Sequence, residues 1–161
     1  MQTLTQLQLQ KRIRTCIWII IIGLALSGIT AFPLETELGL IKDHLTWLPD
    51  ILQQWISHIY STLHVVNQQY PYLSYGTDWL AFAHIMIAIA FIGPLRDPVK
   101  NIWVIQFGMI ACVLIFPLAF IAGGVREIPI FWRLIDCSFG AIGIIPLWIA
   151  YRYTRRLEEL R

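Results

Sequence analysis

The chain has 161 residues, of which 57% are hydrophobic and 14% charged, and a net charge of +2. Soluble domains carry roughly 45–50% apolar and about 25% charged residues, so the composition points to lipid as solvent and to a polytopic integral membrane protein. The small net charge leaves no broad basic face for nucleic acid, and Cys16, Cys112 and Cys137 form no CxxC pair of the kind that redox or zinc chemistry uses.

A membrane-crossing helix needs about 20 mostly apolar residues to cover about 30 Å of hydrocarbon, and in lipid its backbone must satisfy itself. The first such run is 13–32. Lys11, Arg12 and Arg14 precede it as they would a signal peptide. The run is longer than the roughly 7–15 apolar residues of a signal, however, and Ile29 is too large for the small-x-small cleavage pattern. It is read as an uncleaved span, with Cys16, Gly23, Ser27 and Thr30 as the stripe of small residues on which a neighbour packs.

Residues 33–77 form the segment between spans one and two. Over 49–68, opened by Pro49, Leu52, Trp55, Ile56, Ile59, Leu63 and Val66 share one side of a helical wheel. Asp50, Gln53, Gln54, Ser57, Ser61, His64 and Gln68 share the other. Leu34, Leu38, Ile41, Leu45 and Leu48 repeat at three-and-four spacing, which predicts a shorter amphipathic helix upstream. The polar face has almost no Lys or Arg to attract anionic headgroups, and capping the bundle is the preferred role. A metal or haem site through His44, His58 and His64 is not expected: His58 and His64 stand about 120° apart, not at the i, i+4 spacing that lets two helical histidines share zinc.

The second span covers 78–95, with Thr77 or Asp78 as helix cap and Trp79 at interfacial depth. Ala81, His84 and Ala88 share a stripe, so His84 faces other helices. In the following turn Asp97 is placed to cap the third helix and Pro98 to take its first position. That span covers 98–123, with Gly108, Cys112, Ala119 and Ala122 on its small-residue face and Gln106 as an interhelical hydrogen-bonder. The fourth span, 133–151, sets Asp136 on one face with Gly140, Gly143 and Leu147, and Arg133 is spaced to pair with Asp136 at i, i+3. Pro117 and Pro146 free the carbonyls of Val113 and Ile142. In the tail, 152–161, Arg155 is spaced to pair with Glu159.

Of the twelve Lys and Arg residues, nine fall in the N-terminal segment, the turn between spans two and three (Arg96, Lys100) and the tail. The positive-inside rule then places both termini in the cytoplasm of a multi-pass cell-membrane protein, with 33–77 and 124–132 outside. The expected fold is all-α, a single four-helix membrane domain with two amphipathic helices in its outer segment.

At the outer end of that bundle the sequence gathers Ser27, Thr30, Asp78, His84, Arg126, Glu127, Arg133, Asp136 and Ser138 as candidate ligand-binding residues. His84, Asp136 and Arg133 are the catalytic candidates, because ionisable groups within a span are costly to desolvate. A purely structural account competes with this: a cap at Asp78, an Arg133–Asp136 ion pair, and a His84 hydrogen bond worth about 0.6 kcal/mol. No phosphate loop, nucleophile elbow or HExxH motif occurs, and the residues assign no metal or cofactor. The expected function is non-catalytic: a bundle whose outer cap organises a membrane-protein partner, a second copy or lipid. One alternative is a small membrane-embedded enzyme or binder that takes a hydrophobic ligand at His84 and Asp136, and another is an oligomeric ion or proton pathway.

Overall fold

The computed structural model describes residues 5–44 and 47–160. Leu45, expected on the stripe of the short helix, and Arg161, counted with the tail, lie outside the described residues. Among those described the chain is all-helical: α1 (Gln6–Ala31), α2 (Leu34–His44), α3 (Asp50–Gln69), a 3-10 turn (Pro71–Leu73), α4 (Tyr75–Ala90), α5 (Ile92–Arg96), α6 (Ile102–Val125) and α7 (Ile130–Glu159).

Four segments are long and apolar enough to cross a membrane: Gln6–Ala31, Pro71–Arg96, Ile102–Val125 and Ile130–Glu159. The shortest has 24 residues, about 36 Å at the helical rise. At most 22% of the most apolar stretch of any of them is buried. Their outward surface is therefore apolar, as lipid requires and water would penalise.

The ends of these helices differ from expectation for local reasons. Helix α1 starts at Gln6 rather than near residue 13, because Thr5 and Gln8 form a reciprocal capping box: the Thr5 N–H donates to Gln8 Oε1 at 3.0 Å and the Gln8 N–H to Thr5 Oγ1 at 3.4 Å. Neither Thr77 nor Asp78 caps the second span. The 3-10 turn carries the chain into α4 earlier, and the N–H groups of Thr77 and Asp78 donate to the Ser74 carbonyl. Asp97 closes its own turn instead of capping α6, with Oδ1 accepting from the N–H groups of Val99 and Lys100. Helix α6 starts at Ile102 rather than Pro98, and Asn101 staples the turn by donating to the carbonyls of Asp97 (2.9 Å) and Gly93 (3.2 Å). Pro117 and Pro146 both sit inside continuous helices.

Contacts group the chain into two compact units, Leu24–Ile87 and the chain on either side of it. In the flanking unit α6 packs on α7 as a hairpin. Gly108 meets Leu147 and Phe91, Gly143 meets the Cys112 sulfur, and Gly140 lies against the Cys112 carbonyl. The first part of α1 buries Leu9, Ile13 and Ile17, and the end of α7 buries Ala150, Thr154 and Leu157. The Gln6 side chain donates to the Leu160 carbonyl at 2.7 Å and Arg12 to the Tyr153 hydroxyl at 2.9 Å, so the first turns of α1 meet the last turns of α7. In the tail Arg155 pairs with Glu158 at 2.6 Å rather than with Glu159, both positions being neighbours of Arg155 on the helix surface.

In the central unit α2 and α3 form an antiparallel helical hairpin. Gly39 allows Tyr60 to approach, and Lys42 stands 4.8 Å above the same ring. Leu38 and Ile56 are its buried apolar residues. The close contact of α1 here is Gly28, where an added Cβ would lie 2.8 Å from the Ala81 carbonyl oxygen and 3.2 Å from the His84 Cβ. The stripe expected on α1 is not the packed one: Gly23 faces open space, Ser27 and Thr30 are exposed, and Cys16 is half-buried.

Candidate functional site

The nine candidates divide between the units. Ser27, Thr30, Asp78 and His84 belong to the central unit, and Arg126, Glu127, Arg133, Asp136 and Ser138 to the flanking one. Three of them bond back to their own helix. Thr30 Oγ1 donates to the Ser27 carbonyl at 3.4 Å, Ser138 Oγ to the Ile135 carbonyl at 2.6 Å, and His84 Nδ1 to the Leu80 carbonyl at 2.8 Å. Such back-bonding satisfies a polar side chain in an apolar span without enlisting a second helix.

No ion pair joins Arg133 to Asp136. The guanidinium turns the other way, its Nε donating to the Ile128 carbonyl at 2.6 Å while its stem lies against Gly123. The turn it holds is a Schellman motif: the Ile128 N–H donates to the Gly123 carbonyl and the Glu127 N–H to that of Gly124. That motif puts Glu127 at φ 56°, a left-handed conformation at which any Cβ is strained. Glu127→Gly is therefore expected to raise stability by up to about 1 kcal/mol, the relief of about 1–2 kcal/mol of left-handed strain being offset in part by the larger entropy that glycine loses on folding, read as a higher melting temperature in detergent. A lower one would give the Glu127 side chain a role of its own.

The densest side-chain network lies elsewhere, at the open end of the α2–α3 hairpin. Glu35, in the first turn of α2, accepts from His64 Nδ1 at 2.6 Å and from Asn67 Nδ2 at 2.5 Å. The Gln68 amide donates to His64 Nε2 at 2.9 Å, which leaves Nδ1 as the protonated nitrogen facing Glu35. Ser74 Oγ donates to Asn67 Oδ1 and so ties in the start of α4. Hydrogen bonds from Asn67, and then from His64, hold the Glu35 carboxyl below its ordinary range.

Beside the network is a cavity of about 220 Å³, walled by Glu35, Asn67, Ser74 and Asp78 with Phe32 and Leu63. Of the nine candidates, Asp78 lines it. The volume is below the roughly 300–1,000 Å³ of most small-molecule sites.

The wheel reading placed His64 and Gln68 on the polar face of α3. His64 is half-buried there and meets a residue 29 positions away. A signal was present, since His64, Asn67 and Gln68 stand at i, i+3 and i+4 and form one polar patch. Among the described residues no group of three or more His, Cys, Asp or Glu side chains is arranged to hold a metal ion.

These observations define the class as all-helical with four helices suited to crossing a membrane. Comparison with family profiles, with curated proteins and with solved structures finds no match to the chain.

Proposed function

We propose that the chain is a non-catalytic integral membrane protein. In this reading a four-helix bundle crosses the cell membrane, both termini are cytoplasmic, and the α2–α3 hairpin is held outside as a cap that organises a membrane-protein partner, a second copy or lipid. The observation that carries the reading is the hairpin itself, a segment between spans with its own polar lock at Glu35 and with Trp47, Ile51 and Val65 left exposed. The back-bonded Thr30, His84 and Ser138 supply no convergent acid, base or nucleophile.

The test is single-cysteine labelling with a membrane-impermeant maleimide, in a chain whose three cysteines are replaced by alanine. Thr62→Cys is expected to label in intact cells, and Glu159→Cys only after permeabilisation. Labelling of both from one side overturns the reading.

A second reading, a ligand-binding protein, draws its support from the cavity. It moves the ligand from His84 and Asp136 to Glu35, Asn67 and Asp78.

A further inference from the structure

A second cavity, in the flanking unit, is lined by basic rather than acidic side chains. It measures about 150 Å³ and is walled by Gln10 and Arg14 of α1 and by Arg96 and Pro98 of the turn that leads into α6. Gln10 and Arg14, at i and i+4, share a helix face, and Arg96 is the basic residue of the last turn of α5. Neighbouring charges are engaged elsewhere: Arg12 donates to Tyr153 and stands over its ring, and Asp97 directs Oδ1 to the Val99 and Lys100 amides. Neither Arg14 nor Arg96 is ion-paired with a described residue.

Two arginines and a glutamine lining one small cleft are the residue types of a phosphate receptor, because the planar fork of Arg matches phosphate oxygens two at a time. The volume suits a single phosphate and is too small for a nucleotide-sized ligand. Along α1 the same four-residue step continues from Arg14 to Trp18 and Ile22, both exposed and apolar. A phosphate in the cleft would thus have a hydrocarbon-compatible track leading away from it.

We propose that Arg14 and Arg96, with Gln10, bind the phosphate of an anionic phospholipid whose acyl chain lies along Trp18 and Ile22. The proposal rests on the membrane topology given above, in which this end of the spans sits among cytoplasmic headgroups. Basic clefts between spans on that side are suited to such lipids.

The test is native mass spectrometry of the full chain in detergent with phosphatidylglycerol against an excess of phosphatidylcholine, and in parallel with inorganic phosphate alone. One phosphatidylglycerol per chain is expected to be retained. Arg14→Gln and Arg96→Gln should each weaken retention about tenfold, whereas Arg152→Gln, an equal loss of charge outside the cleft, should change it less than about twofold. Arg14→Lys and Arg96→Lys, which keep the charge without the fork, should fall between, and full retention in both overturns the bidentate site. Equal losses in all three glutamine variants, or no retention by the parent chain, also overturn the proposal. Binding of inorganic phosphate without phosphatidylglycerol supports the anion site and overturns the lipid as its source. The maleimide experiment reports topology independently, so a wrong orientation and an absent lipid site give different results.

Discussion

Replacing Gly140 with alanine is expected to destabilise the folded chain by about 1–3 kcal/mol, and valine by more. An ideal Cβ at this position lies 2.5 Å from the carbonyl oxygen of Cys112 and 3.4 Å from Ile115 Cδ1. The obstacle at the shorter distance is backbone, so no rotamer change relieves it and α6 must move away from α7. Dispersion contacts between helices in lipid fall off steeply with such separation, and no water is available to supply a compensating hydrophobic term. Gly23 is the internal control, since nothing lies within 4 Å of its added Cβ. Gly23→Ala is expected to be neutral or stabilising by up to about 1 kcal/mol through helix propensity. Thermal or denaturant unfolding of the two variants in detergent checks both results, and equal stability would mean that α6 and α7 do not approach at Gly140.

The contrast between these glycines shows what a single sequence can and cannot say about packing. Gly140, Leu147, Gly108 and Ala119 were legible because a small-residue stripe on a span has few uses besides close approach. Gly23 obeys the same pattern and packs on nothing, while Gly28, off the expected stripe, meets the Ala81 backbone. Residue type shows that an approach is permitted, and the neighbour decides whether it occurs. The existence and order of the helices were readable for a stronger reason, because a long apolar segment in lipid has few structural options. Helix ends were less so. Asp97 has the chemistry of a cap, but it caps its own turn, and the Thr5–Gln8 box that starts α1 lies upstream of the apolar run.

The polar sites divide along similar lines. Arg133 and Asp136 stand at pairing distance in sequence, yet the Ile128 carbonyl, left open at the end of α6, competes for the guanidinium and takes it. The pairing of Glu35 with His64 depends on how a hairpin closes, which a wheel drawn for one helix cannot contain. The polar patch of His64, Asn67 and Gln68 was visible, and its partner on α2 was not.

Glu35→Ala is expected to loosen that hairpin, because it leaves His64 Nδ1 and Asn67 Nδ2 without the acceptor they share. The readout is hydrogen exchange at the amides of α2 and of residues 64–69, which should lose protection while α6 and α7 keep theirs. Acid should act on the same link. The Glu35 carboxyl is held below the ordinary glutamate value of 4.5, first by the Asn67 hydrogen bond and then by that of His64. A carboxyl depressed in the folded state contributes stability that is fully present above the unfolded value and is lost as pH falls through the folded one. The parent hairpin should therefore hold its protection down to about pH 4.5 and lose it below. Glu35→Gln, with no carboxylate to protonate, should lack that step and be loosened at neutral pH. If the parent and Glu35→Gln lose protection in the same acid range, the lock is not the Glu35 carboxylate, and the apolar contacts around Leu38 and Ile56 hold the hairpin without it.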